Sequence, residues 1–204
     1  MNKKIAILSL LAFASLALTG DSCILENKDI DVPMRADVDM QFHSEGFNDA
    51  DTDTVDFVEE FEDIENLDET DITELVDGAI EGGFWRLEMN NDGPTIVTGG
   101  VMVTRTATAT TVTLIPQQTD VDIDAVGMTF VPAPLDPAGV ALINAGFDEF
   151  IAWWNTGQVG TPPDLEYIFT WTSSANHGGA NFDWEGRLRF TIVGVFSVEI
   201  PEVW

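Results

Sequence analysis

The sequence predicts a mainly β protein, an antiparallel β-sandwich or open barrel with two inserted amphipathic helices at about 71–81 and 137–156. Three observations carry this. Apolar residues alternate with polar or small ones in many stretches; Gly, Pro and Asn clusters separate those stretches; and only two windows repeat with helical spacing. The elements therefore run strands, helix, strands, helix, strands, without the regular strand-helix-strand repeat of a parallel sheet. With 204 residues, 45% hydrophobic and 10% aromatic, the chain can fill one core, and one domain is the natural count.

In chain order, Ile30, Val32 and Met34, then Val38, Met40 and Phe42, alternate as a half-buried first strand does. The stretch from Glu45 to Glu81 holds 16 acidic residues and no basic one, and about 45–70 is expected to be an acidic, solvated loop. Ile72, Leu75, Val76, Ala79 and Ile80 then recur at i, i+3, i+4, i+7 and i+8. This predicts a helix, capped by Asp71 with Glu74 and ended by Gly82 and Gly83. Phe84 to Met89 reads as a strand, and the Asn90 to Pro94 cluster as a turn. Val101 and Val103, then Val112 and Leu114, give two strands joined near Ala107, and Val121, Ile123 and Ala125 give another with Asp120, Asp122 and Asp124 on its wet side.

The second helix is expected from Pro137 to about Thr156. Asp136 stands at its N-cap and Pro137 at the first helical position, where the missing N–H costs nothing. Val140, Ile143, Phe147, Phe150, Ile151 and Trp154 form its apolar stripe, and Gly157 closes it. Leu165, Tyr167, Phe169 and Trp171 alternate along a further strand, and Phe182 to Ile200 supplies one or two closing strands.

Charge narrows the function. The chain has 36 acidic against 8 basic residues, a formal net charge of -28. Phosphate binding needs clustered Lys and Arg, so nucleic acid is not an expected partner, and anionic membrane faces repel such a surface. The single cysteine cannot close a disulfide within the chain. Repulsion among the carboxylates also predicts a salt response, because the Debye length falls from about 10 Å at 0.1 M to about 3 Å at 1 M. The melting temperature is expected to rise in 1 M sodium chloride; an unchanged or lower value would contradict this.

Lys3 and Lys4 precede an uncharged, apolar stretch from Ile5 to Leu18, the layout of a bacterial secretory signal over 1–22, with 23–204 as the mature domain. Leu18-Thr19-Gly20 resembles the approach to a bacterial lipoprotein cleavage site. Asp21 stands where that family has its cysteine, which comes two positions later as Cys23. The resemblance implies lipidation of Cys23 and a membrane link through that anchor alone; the alternative is soluble export, to the periplasm or beyond, with a free thiol. A mature N-terminus between Leu18 and Cys23 is expected.

Two constellations suggest binding. Asp49, Asp51, Asp53, the Val55 carbonyl and Glu60 fall at positions 1, 3, 5, 7 and 12 of a segment whose ligand spacing resembles a calcium loop of the EF-hand type. Thr54 replaces its turn glycine, and a solvated acidic loop explains the same residues. Of six tryptophans, Trp153 lies off the helix stripe and Trp184 sits between Asp183 and Glu185, so these two are candidate platforms for a sugar ring. For catalysis there is no GxSxG, HExxH or phosphate-binding loop, and His43 and His177 are the two histidines. The expected function is thus an exported, non-enzymatic structural or interaction module of the cell envelope, with calcium as its one possible ion and a cell-surface or extracellular partner. The alternatives are a carbohydrate-binding β-sandwich and, last, a carboxylate-based hydrolase.

Overall fold

A computed structural model of the chain describes residues 25–45, 48–64, 72–89, 96–122, 129–175 and 181–201. Two four-stranded sheets, antiparallel throughout, face each other. The first contains β1 (Leu25–Glu45), β3 (Ile72–Met89), β6 (Val131–Ala133) and β8 (Asn181–Pro201), in the order β1-β8-β3-β6. The second contains β2 (Asn48–Asp56), β4 (Ile96–Arg105), β5 (Thr110–Asp122) and β7 (Glu166–Ala175), in the order β2-β7-β4-β5. Helix α1 (Phe57–Ile64) follows β2, and α2 (Pro137–Asn155) follows β6.

Alternation sets the core. Met34, Val38, Met40 and Phe42 of β1 and Trp184, Leu188, Phe190 and Ile192 of β8 point inward, against Val101 and Val103 of β4 and Tyr167, Phe169 and Trp171 of β7. Trp171 and Trp184 stack across the two sheets, with ring centroids 4.7 Å apart and planes at 13°. Two glycines make room for them: a Cβ on Gly99 would lie 2.3 Å from the Trp171 ring, and one on Gly186 2.6 Å from the Trp184 ring. The β4-β5 connection is a single 3-10 turn, Thr106–Thr108, closed by Ala109 at φ 51°.

Of the helix expected at 71–81, Asp71 lies outside the described residues, and residues 72–81 are instead the first part of β3. Its partner β8 explains the misleading period. Pairing runs Ile72 to Phe196, Glu74 to Val195, Leu75 to Gly194 and Asp77 to Val193, so Thr73 and Val76 are extra residues, and a third irregularity falls between Ile80 and Gly82. Each bulge adds one residue to the strand's period of two. Ile72, Leu75 and Gly78 are consequently buried at intervals of three, which imitates a helical stripe. Val76, assigned by that stripe to the core, is 54% exposed.

Of the acidic segment expected to be a loop at about 45–70, residues 48–64 form β2 and α1. Val55 and Phe57 enter the core, and Phe57 packs edge-on against Phe147, Tyr167 and Phe190. Strand β2 is an edge of its sheet, as β1 is of the other, and carboxylates join the two edges. Asp53 Oδ2 accepts from the Gln41 N–H at 2.9 Å, and Asp51 Oδ2 accepts from the His43 N–H at 2.8 Å. These side chains take up donors that an open strand edge would expose. Replacing both by Ala is expected to cost about 2 kcal/mol, less than two fully buried charged bonds because both sites are partly solvated. Hydrogen exchange of the Gln41 and His43 amides checks it; unchanged protection would mean that the carboxylates do not close this seam.

Helix α2 closes the opposite side. Asp136 caps it by accepting from the Ala138 N–H at 2.8 Å, with Pro137 at its first turn. Asn155 binds Leu75 of β3 as a paired strand residue would: Oδ1 accepts from the Leu75 N–H at 2.9 Å and Nδ2 donates to the Leu75 carbonyl at 2.7 Å. Asn144 Oδ1 accepts from the Ile80 N–H at 3.0 Å. At the other sheet, the Asp136 N–H donates to the Leu114 carbonyl at 2.8 Å, and Gly139 lies directly on β5.

One buried charge fastens this helix. Arg105, 5% exposed at the end of β4, donates to both Glu149 oxygens, at 2.8 and 2.6 Å, and to the Asp164 carbonyl at 3.2 Å. The hydrogen bonds from Arg105 hold the Glu149 carboxyl below its ordinary value of 4.5. A depressed folded value means that the pair contributes stability fully above pH 4.5 and loses it as pH falls through that lower value. The stability difference between the parent and Glu149→Gln is thus expected to shrink on acidification below pH 4.5. A difference that stays constant down to pH 3 would contradict it.

Candidate functional site

The outward residues of β1, β8 and β3 alternate with core residues, and they pair by charge across the strands. Asp37 accepts two bonds from Arg189, at 2.8 and 2.9 Å, and Asp39 two from Arg187, at 2.6 and 2.8 Å. Arg35 pairs with Glu81 at 3.1 Å and Arg86 with Glu185. Aromatic rings support the guanidinium groups: Arg187 and Arg86 lie 4.2 and 4.9 Å from the Phe130 centroid, and Arg189 5.0 Å from that of Phe84. The hydrogen bonds to Asp39 and Asp37 push the Arg187 and Arg189 guanidinium groups up, and the neighbouring Thr191 hydroxyl and the Arg35 guanidinium hold the Glu81 carboxyl below its ordinary value.

Four of the chain's eight basic residues therefore stand on the outer face of one sheet. In three of the four pairs the arginine is the more exposed partner, 69% against 34% for Arg35 and Glu81, 40% against 29% for Arg189 and Asp37, and 34% against 17% for Arg86 and Glu185. On a molecule of net charge -28, this face is locally compensated.

At the end of the ladder nearest β2, a cleft of about 390 Å³ is lined by Gln41, Phe42, His43, Asp51, Arg86, Asp183, Trp184 and Glu185. The His43 ring pairs through Nδ1 with Asp183 Oδ1 at 2.7 Å. Asp51 is fixed at both oxygens, by the His43 N–H and, at 2.8 Å, by the Thr52 N–H. An imidazole oriented by a carboxylate is able to exchange protons, and the described residues lining this cleft carry no side-chain hydroxyl or thiol.

Of the calcium spacing Asp49, Asp51, Asp53, Val55 and Glu60, the described part runs along a strand and into a helix. Asp51, Asp53 and Val55 lie along extended strand β2, where alternate residues are about 6.6 Å apart. Glu60 belongs to α1, Asp51 and Asp53 already bind the β1 backbone, and the Asp49 side chain lies outside the described residues. Among the described residues no group of three or more His, Cys, Asp and Glu is gathered to hold a metal.

Trp184 is 1% exposed, so its face is unavailable to a sugar ring. Burial between Trp171, Phe42 and Trp85 accounts for it. Trp153 is half-buried, packed on Phe150 at 5.7 Å, with its indole nitrogen enclosed. The two do not form one site. Cys23, the leader at 1–22 and His177 lie outside the described residues.

The arginine ladder was legible in part. Asp183-Trp184-Glu185-Gly186-Arg187-Leu188-Arg189-Phe190 alternates polar with core residues, as does Arg35 to His43, and opposite charges meet where Asp37 faces Arg189 and Asp39 faces Arg187. Only the register shows which charges pair.

No family model matches the chain, and no curated protein matches it. Among solved structures, a chain from the structure of infectious bursal disease virus Gx strain is similar at 13% identity and a TM-score of 0.24, over 96% of this chain. This chain spans 47% of the length of that one. A TM-score of this size assigns neither fold nor function. No helix among the described residues is long and apolar enough to cross a membrane.

Proposed function

We propose that this chain is an exported cell-envelope protein acting as a non-enzymatic structural or interaction module. The observation that carries the reading is the outer face of the first sheet, where Arg35, Arg86, Arg187 and Arg189 compensate neighbouring carboxylates. Elsewhere the carboxylate excess repels a partner of like charge; on this face the ion pairs remove that repulsion, and Arg35 and Arg189, with the most exposed guanidinium groups, are its contact points. The leader-like N-terminus and the lipoprotein-like Cys23 support export and, with lipidation, attachment to a membrane surface.

Two measurements test the reading. Intact mass of the protein from membrane and secreted fractions is expected to show a start between Leu18 and Cys23, with a diacylglycerol on Cys23 if the chain is anchored. Retention of the intact chain in the cytoplasm would sink export. Cross-linking on the cell surface through residues placed at Arg35 and Arg189 is expected to capture a defined partner that equivalent positions on β5 do not. Equal capture from both faces would remove the assigned role of the ladder.

A further inference from the structure

We infer that the cleft between His43, Asp51, Arg86 and Asp183 is a binding site for a neutral polyhydroxylated ligand of the saccharide class. It is an open, polar-lined cleft of about 390 Å³, near the lower end of small-molecule site volumes, so its polar side chains rather than enclosure supply recognition. Strands β1, β2, β3 and β8 each contribute to its wall, so its side chains stand on paired backbone rather than on loops. They are also held in place before any ligand arrives, His43 by Asp183, Arg86 by Glu185 and Asp51 by two backbone N–H groups.

The ligand class follows from the donors and acceptors within reach of one another. Arg86 is a donor, Asp51, Asp183 and Glu185 are acceptors, and the Gln41 amide and the His43 imidazole are each both. An anion meets three carboxylates and the field of a molecule of net charge -28. An ammonium group satisfies the carboxylates and offers nothing to Arg86, and it competes with the ion pairs that build the wall. A hydroxyl donates and accepts at once, so a ring bearing several of them serves both halves of the cleft without breaking a pair. With Trp184 buried, recognition here is by hydrogen bonds and not by stacking on an exposed indole. This inference shares Arg86 and Glu185 with the arginine ladder but does not rest on the ladder's proposed role or on export, because it concerns a small ligand at one end of the face.

The test is an NMR titration of the chain with D-glucose, D-galactose, D-mannose, N-acetyl-D-glucosamine and their disaccharides, and with glucuronate and glucosamine in parallel. The signals followed are the His43 ring and the amides of Gln41, Asp51 and Asp183. At least one neutral saccharide is expected to give saturable shifts confined to these residues. Gln41→Ala and Asp183→Asn are each expected to weaken it about tenfold, the loss of one hydrogen bond, while Asp29→Asn, an equal charge change further along β1, leaves it within about twofold. Gln41→Ala removes an exposed side chain, so it reports even if Asp183→Asn perturbs the strand. Absence of saturable shifts with every neutral saccharide overturns the inference. Tighter binding of glucosamine than of every neutral sugar, or equal weakening by Asp29→Asn, overturns it too, since charge would then be the whole effect.

Discussion

Glu149→Gln is expected to destabilise the fold by about 2–3 kcal/mol and to lower the melting temperature by roughly 4–12 °C, more than Arg105→Met does. The ordering follows from where each partner sits. Arg105 is 5% exposed at the end of β4, while the Glu149 side chain is 54% exposed on α2. Removing the carboxylate leaves an interior guanidinium with the Asp164 carbonyl and no anion bonded to it, and a buried charge without its partner is the costly case. Removing the arginine leaves a carboxylate that water can solvate, and methionine fills much of the vacated volume. Half-exposure of Glu149 is why the figure falls below the 3–5 kcal/mol typical of a fully enclosed pair. Thermal melts of both variants decide the matter. If Arg105→Met costs as much as Glu149→Gln or more, Arg105 acts here mainly by packing.

Gly139→Ala is expected to cost about 3 kcal/mol, although alanine is the better helix former by about 1 kcal/mol. A Cβ at this position would lie 2.6 Å from the Thr113 carbonyl oxygen and 2.7 Å from the Leu114 Cα. Both are backbone atoms of β5, so no side-chain rotation relieves the contact; the first turn of α2 must lift off the sheet. The Asp136 N–H bond to Leu114 is lost with it. Chemical denaturation gives the cost, and hydrogen exchange at Asp136 locates it. A variant as stable as the parent would show that α2 does not depend on close approach to β5.

Much of the mainly β, two-layer architecture was readable from period and punctuation. The first strand, the Leu165 to Trp171 strand and the helix from Pro137 are local consequences of alternation, of an Asp-Pro start and of a glycine stop, and each needs only its own residues. The -28 charge and the leader-like start are likewise properties of the chain.

Other features required the other strands. The residues at 72–80 have a helical period only because bulges opposite β8 move the inward positions from every second to every third residue, and no local signal distinguishes the two cases. The aspartates of β2 matched a calcium spacing, yet what they bind is the edge of β1, because a carboxylate takes whatever donors the fold brings to it. Trp184, flanked by acids, looked exposed; strand alternation turned the acids outward and the indole in, against a tryptophan from the other sheet and over a glycine two residues on. The sequence by itself determined which residues are apolar, charged or turn-forming, and so the class of fold. Register, bulges and the contact of one sheet with the other decided which of them meet, because those depend on residues far apart in the chain and on free energies that no single segment contains.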